Sequence, residues 1–442
     1  MAQRARSLPG PRSLLLVGLG LILVAGYVLT LSRQSTYETW SPLVVGPLLV
    51  LVSLPILARQ ARRENDRSLF WLLLLALALK LGGAIFRYYT TFALYHGRAD
   101  AVGYHEWGVQ ISERFRDGTF RTGLDSLTST NFIRFFSGVV ETLVGPSMLG
   151  AFLIFSWLAF WGLFLFYRAY TIAVPEGRRR SYAHLLFFLP GLLFWPSSIG
   201  KESWMIFALG IAAYGVARFM SRSILPGVLI SGLGLTLAAL VRPHMAGLMA
   251  VALVVAYLVR RSPEEHRESA PVVKALWLVP LVIVAAVLIG RTNAYLAEKG
   301  IDTTKGPTSV VAQAGSQVSG GGSAFVPDLI ESPKQAPIAV VTVLFRPFIT
   351  EANNLQAYGS AIEGTFLLAL TLVRGRWVFA AVRSVRRQPY VGFALFYSAI
   401  FVFAFSSLAN FGLLVRQRTS LLPLYLVLLT IPPPKDPETG SV

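Results

Sequence analysis

The stretch Arg87 to Gly108 gathers His96, Arg98, Asp100, Tyr104, His105 and Glu106 into a short length of a chain that has only 5 histidines. A carboxylate among imidazoles, a guanidinium and a phenol can take a proton from a hydroxyl and hold a polar substrate meanwhile. Asp100 is the candidate catalytic base and Glu106 the second choice; His96, Arg98, Tyr104 and His105 are candidate substrate ligands. The same residues also suit a solvated loop whose charges only keep it in water.

Four further clusters add cations and amides. Lys201 and Glu202 stand in Trp195-Pro-Ser-Ser-Ile-Gly-Lys-Glu-Ser203, where Ser197, Ser198 and Gly200 precede an expected helix start. Free backbone N–H groups, the positive end of the helix dipole and a lysine make a phosphate cradle there; a capped helical hairpin would use the same residues. Arg242-Pro243-His244 occupies a tight turn between apolar runs. Arg346 precedes Pro347, with Glu351, Asn353, Asn354 and Gln356 close behind, a density of polar groups that suits sugar hydroxyls or a phosphate. Arg416 and Arg418 open the last apolar run. Any single arginine could snorkel to the interface. Together, Lys201, Arg242, Arg346, Arg416 and Arg418 suit an anion at headgroup depth, arginine bidentately and lysine as a point charge.

The elements that must position these groups are membrane helices. Of 442 residues, 54% are hydrophobic and 14% charged, and the mean hydropathy is +0.58, too apolar for a soluble domain. The fold class is all-α, a polytopic membrane helical bundle. Apolar runs matched to a hydrocarbon layer about 30 Å thick fall at 13–31, 42–58, 69–86, 148–167, 183–197, 203–219, 223–241, 245–259, 272–290, 357–373, 390–408 and 419–432, about 12 transmembrane helices.

The formal charge of +18 sits in short arginine clusters between these runs, so it reports topology and requires no nucleic acid. Arg4, Arg6 and Arg12, then Arg59, Arg62 and Arg63, then Arg178 to Arg180, then Arg383, Arg386 and Arg387 mark one side. Both termini are thereby cytoplasmic, and the polar clusters face outward from the cytoplasmic (inner) membrane. The first apolar run has the charge order of a signal sequence but is long for one, which favours a retained span.

The chain divides into residues 1–86 with three N-terminal spans, 87–147 as a first extracytoplasmic loop carrying the acid, 148–290 with the central spans, 291–358 as a second extracytoplasmic loop, and 359–442 with the last spans and a cytoplasmic tail. Asn131 to Val144 is apolar but short and carries Glu141, which makes it an interfacial or re-entrant helix ending at Gly145-Pro146. Gly315 to Ser323 is a Gly/Ser-rich tether or lid. Ile338 to Phe345 is a second short apolar piece. Lys80 and Glu363 lie within spans and need partners, each other or a cavity. His184 and His266 are structural. No cysteine and no spaced metal motif is present.

An acidic residue in the first large outer loop of a many-spanned chain, followed by a second large outer loop and basic residues, resembles the GT-C class of glycosyltransferases. The segments Gly97-Arg-Ala-Asp-Ala-Val-Gly-Tyr104, Phe194-Trp-Pro-Ser-Ser-Ile-Gly-Lys-Glu202, Phe345-Arg-Pro-Phe348 with Glu351 and Asn354, and Arg416-Gln-Arg418 are also similar to bacterial oligosaccharide repeat-unit polymerases. The resemblance implies a GT-C-like bundle with Asp100 as base and Lys201, Arg242, Arg346, Arg416 and Arg418 as phosphate ligands. It further implies a polyprenyl-phosphate- or pyrophosphate-linked sugar donor, a glycan or lipid-linked acceptor, and membrane lipids as surroundings. Two departures stand out. The acidic loop follows the third span instead of the first, and Asp100 and Glu106 replace the paired acids of that class. No cofactor is therefore assigned, and a divalent cation stays open.

The function expected is transfer of a sugar or glycan from the polyprenyl-linked donor to an acceptor at the outer face of the membrane, as in polysaccharide biosynthesis for the cell envelope. The alternatives are a transporter or flippase of a lipid-linked glycan, or a non-catalytic envelope-assembly scaffold. A transporter would carry its charges along a central path, whereas here they collect at one face.

Overall fold

A computed structural model describes residues 27, 36–221, 223–261, 270–317, 324–327, 330 and 332–433. The expected first span at 13–31 and its flanking arginines, His266, Ser319 to Ser323 and the C-terminal tail lie outside these residues apart from Tyr27. Among the described residues the protein is all-helical, with no strand beyond one isolated bridge between Ala324 and Asn410.

Helices α1 Tyr37–Arg63, α2 Arg67–Ala93, α3 Asp100–Arg116, α4 Ser129–Val144 and α5 Met148–Ala173 form the first half. Then come α6 Arg179–Phe188, α7 Pro190–Phe194, α8 Lys201–Met220, α9 Ile224–Ala239, α10 Pro243–Val259 and α11 Ala270–Glu298. The remainder is α12 Pro307–Ser316, α13 Ala336–Phe345, α14 Leu355–Val373, α15 Gly375–Ser384, α16 Pro389–Phe405, α17 Phe411–Arg418 and α18 Leu422–Leu428. Five of these are long and apolar enough to cross a membrane, or six if α14 and α15, bent by 69°, form one span. Four shorter apolar helices, α9, α10, α13 and α16, accompany them. The protein is thus a membrane-embedded helical bundle, and the exposed leucine, valine and isoleucine side chains of α11 are what a lipid-facing helix carries.

Prolines explain why several apolar runs are not single helices. The run 183–197 breaks at Leu189, held extended before Pro190, because proline disfavours the α conformation in the residue preceding it. The last run, 419–432, holds only the short α18, with Pro423 in its first turn, and α17 ends just before it at Arg418. The start at Pro190 frees the Gly191 N–H, Pro196 has no N–H to offer the Leu192 carbonyl, and the two buried charges serve these groups. Lys80 donates to the Leu192 carbonyl at 2.6 Å, and the Glu363 carboxylate accepts from the Gly191 N–H. Lys80 and Glu363 therefore hold neighbouring residues of α7 and do not meet as a pair.

The polar break also differs from its expected form. Helix α2 continues through Arg87 to Ala93 and α3 begins at Asp100, so only residues 94–99 connect them and the expected loop is mostly helix. In the second expected loop, α11 runs to Glu298 and α12 and α13 fill part of the remainder. Gly315, the start of the expected tether, belongs to α12, and a Cβ there would collide with the Ser407 carbonyl oxygen. The short apolar piece 131–144 is the helix α4, ended by Gly145 at φ +86°, where the Tyr37 ring occupies the space of a side chain.

Helices α5 and α8 are the most buried of the long ones. They touch through Gly162 and Gly210, the approach that small residues permit between membrane helices. A Cβ on Gly162 would collide with the Ile206 carbonyl. Backbone cannot yield there as a side-chain tip can, so Gly162→Val is expected to lower the thermal unfolding temperature by several degrees, equivalent to about 1–3 kcal/mol. A melt of the detergent-solubilised variant checks this; an unchanged midpoint would show that the two helices are free to part.

Candidate functional site

Four segments distant in sequence line one cavity of about 350 Å³. The end of α2 and the start of α3 bring Arg87, Arg98, Asp100 and Tyr104; the turn into α8 brings Trp195, Ser198 and Glu202. The stretch leading into α14 brings Glu351, Asn353, Asn354 and Gln356, and α17 brings Phe411 and Arg416.

Local structure sets each direction. Asp100 is the first residue of α3, where a carboxylate meets the positive end of the helix dipole. Tyr104, one turn later, falls on the same face. Its burial first, then the nearby Asp100 charge, pushes its hydroxyl up to about 12, so it stays protonated and able to donate. Glu106 is exposed on another side of the helix and does not line the cavity. Glu202 sits in the first turn of α8. Asn354 caps α14, its Oδ1 accepting from the Ala357 N–H at 2.9 Å, while still lining the cavity.

Carboxylates interleave with the arginines. Arg416 reaches Asp100 Oδ2 with Nη2 at 3.1 Å and Glu202 Oε1 with Nε at 3.4 Å. Arg242 Nη2 donates to the same Glu202 oxygen at 2.9 Å. Glu202 is thus a buried node between two guanidiniums, and Asp100 is the more exposed end of the chain of pairs.

This arrangement corrects several expected roles. Of the five cations expected to hold phosphate, only Arg416 lines the cavity. Arg242 is buried behind Glu202. Arg346 is spent on Glu351, its Nε donating to both carboxylate oxygens at 2.9 and 3.2 Å, and stands over the rings of Phe325 and Phe411. Partial burial alone would push the Glu351 carboxyl up, but Arg346 and the Phe348 N–H outweigh it and the net direction is down. Arg418 is fully buried and donates to the Arg346 carbonyl. Lys201 Nζ lies 3.5 Å from Ser129 Oγ, away from the cavity. Charge and position in the chain show that a cation is present; they do not show which way it points.

The histidines also turn elsewhere. His96 is exposed in the connection before α3. His244 packs its ring 5.8 Å from that of Tyr295, with Nδ1 buried and lacking a hydrogen-bond partner among the described residues. His105 Nδ1 lies 2.9 Å from Glu141 Oε1 on α4. His184 meets the Arg180 carbonyl. Among the described residues no group of three or more His, Asp or Glu side chains is placed to hold a metal ion, and the two carboxylates nearest the expected chemistry, Asp100 and Glu202, both face Arg416.

Of the arginines lining the cavity, Arg87 lay outside the expected set. Arg87 is buried near the end of α2, its guanidinium carbon 4.6 Å from the Phe194 ring centre and 5.0 Å from that of Trp195. A cation at the same end of the bundle as the polar clusters was the signal already used for Lys201 and Arg242, and Arg87 carried it too. Beside the cavity runs an apolar groove of about 340 Å³, lined by Phe86, Leu94, Phe194 and Leu355 and sharing Trp195, Gln356, Ser360 and Val415 with it.

No family model, curated protein or solved structure matches this chain. What the cavity does has to be read from its own side chains.

The His105 and Glu141 pair makes a separate prediction. Burial works against the charged imidazole, but the hydrogen bond and charge of Glu141 outweigh it and the net direction is up. Burial first raises Glu141, which His105 only partly offsets. Both groups hold protons more tightly folded than unfolded. Their contribution to stability is therefore full below the unfolded values and is lost as pH rises through the folded ones. The unfolding temperature is expected to fall by a few degrees between about pH 5 and about pH 8, and Glu141→Gln should flatten that slope. An equally steep slope in the variant would assign it to other groups.

Proposed function

We propose that the chain is an integral-membrane glycosyltransferase or glycan polymerase of GT-C-like, many-spanned architecture. It transfers a sugar or glycan from a polyprenyl-phosphate- or pyrophosphate-linked donor to an acceptor at the outer face of the cytoplasmic membrane. The observation that carries this reading is the meeting of Asp100, Tyr104, Glu202, Glu351, Asn354 and Arg416 in one cavity that shares Trp195, Gln356, Ser360 and Val415 with an apolar groove beside it. Amides, a phenol and aromatic rings suit a sugar, and the groove suits a hydrocarbon tail.

In the transfer step, Asp100 takes the proton of an acceptor hydroxyl. That oxygen forms its bond to the sugar carbon as the bond from carbon to the phosphate oxygen breaks, and the departing phosphate keeps the electron pair. The guanidiniums at the cavity stabilise the charge that develops on it. On this reading Arg416, which lies against Asp100, orients the carboxylate before reaction and turns to the phosphate as charge appears there.

The test is sugar transfer by the purified full chain in sealed vesicles, with a radiolabelled polyprenyl-phosphate-linked sugar as probe. New glycosidic product is the expected result. Movement of the probe across the bilayer with no new bond would replace the enzyme by a transporter. Because the chain has no cysteine, a cysteine introduced for Gly97 reports sidedness directly. Labelling by an impermeant thiol reagent from outside is expected, and labelling only from the cytoplasm would overturn the site's placement.

A further inference from the structure

The ion pairs around the cavity leave one buried cation over. Glu202 faces Arg242 and Arg416, Asp100 faces Arg416, and Glu351 faces Arg346. Arg87 belongs to none of these pairs, although it is only 7% exposed. Its Nε and Nη1 have no hydrogen-bond partner among the described residues, and it lines the cavity. The rings of Phe194 and Trp195 stand against the guanidinium and the Tyr95 side chain hydrogen-bonds it, but Nε and Nη1 stay unfilled among the described residues. A buried guanidinium with empty donors is costly to maintain, and an oxyanion is the group that satisfies both its charge and its fork of N–H bonds.

The apolar groove starts at the neighbouring residue. Phe86 lines it with Leu94, Phe194 and Leu355, and Trp195 borders both spaces. A free phosphate would use the cavity and ignore the groove; a long-chain alcohol would do the reverse. An oxyanion joined to a hydrocarbon chain uses both, and a phosphate is the one that the transferase reading supplies.

We propose that Arg87 is the oxyanion ligand of this site and that the groove running from Phe86 between α2, α7 and α14 holds the apolar chain attached to that oxyanion. The ligand class is a lipid phosphate. This deepens the transferase reading and rests on it for the ligand's role as donor, but binding itself needs no transfer.

Equilibrium binding to the purified full chain in detergent micelles tests it with three probes: farnesyl phosphate, farnesol and inorganic phosphate. Farnesyl phosphate should bind more tightly than either fragment. Arg87→Gln should weaken farnesyl phosphate by at least about tenfold and farnesol by much less, since farnesol has no charge-assisted bonds to lose and meets only the Phe194 and Trp195 rings that Arg87 packs against. Arg87→Lys, which keeps the charge but loses the fork, should fall between the two. Gly359→Phe tests the other half, because Gly359 lines the groove and an added Cβ there meets nothing within 4 Å. That variant should weaken farnesyl phosphate and farnesol together and spare inorganic phosphate.

Unchanged farnesyl phosphate binding in Arg87→Gln and Arg87→Lys overturns the ligand assignment. Inorganic phosphate binding as tightly as farnesyl phosphate, or farnesyl phosphate indifferent to Gly359→Phe, overturns the lipid half. If the binding results hold while no sugar is transferred, the site stands and the enzyme reading falls. If sugar is transferred while Arg87→Gln binds farnesyl phosphate normally, the enzyme reading stands and the Arg87 site falls.

Discussion

Asp100→Asn is expected to reduce sugar transfer by about 10²- to 10⁴-fold, the usual weight of a general base, while leaving the folded protein intact. The amide keeps the size and shape of the carboxylate but cannot accept the acceptor's proton. Folding should survive because the Asp100 side chain is 64% exposed and its pair with Arg416 is correspondingly solvated; such pairs contribute about 0–1 kcal/mol. Glu202 also remains to hold Arg416 in place. Glu106→Gln is the matching control. It removes a carboxylate six residues along the same helix that does not line the cavity, and transfer is expected to stay within about twofold. Transfer undiminished in Asp100→Asn would remove Asp100 as the base. Equal losses in both variants would point to the charge of the α3 segment as a whole.

The contrast between these two carboxylates shows what the sequence did and did not carry. Asp100, Tyr104, Glu202, Glu351, Asn354 and Arg416 were all legible as polar groups gathered at one end of apolar runs, and they line one cavity. Taking residues 87–108 as a loop concealed the helical period of α3, which separates Asp100 and Tyr104 from His105 and Glu106. Spacing along a chain decides nothing about facing until the local structure is known.

Partners were the second hidden quantity. Arg346 and Arg418 looked like free cations, yet the first is held by a carboxylate five residues away and the second by a main-chain carbonyl. Lys80 and Glu363 were legible as charges needing partners, but those partners are backbone groups left open at the two ends of the short α7, which hydropathy alone smooths over. Arg87 closed an apolar run and so passed for an ordinary boundary residue. Of the long spans, α8 was legible to within two residues of its ends, whereas α2 and α5 run on seven and six residues past the expected ends at 86 and 167, because their last turns carry polar residues that hydropathy does not count.

Glu202→Gln is expected to have the largest effect on stability of any single change at the site. Its side chain is 7% exposed and stands between Arg242, at 10%, and Arg416, at 26%. Neutralising it leaves two guanidiniums near one another with only the more exposed Asp100 to offset them, and Arg242 Nη1 already has no hydrogen-bond partner among the described residues. Removing one member of a buried pair costs about 3–5 kcal/mol, because the remaining charge has been taken out of water and keeps no counter-ion. A large fall in unfolding temperature, or failure to accumulate in the membrane, is therefore expected. Since either result could come from many kinds of damage, the deciding measurement is the double variant Glu202→Gln with Arg242→Gln. If the cost is the stranded charge of Arg242, removing that charge as well should restore most of the lost stability, giving a strongly non-additive cycle. Additive losses would mean that Glu202 acts through packing or through the start of α8, and that the chain of alternating charges from Arg242 to Asp100 does not hold this end of the bundle together.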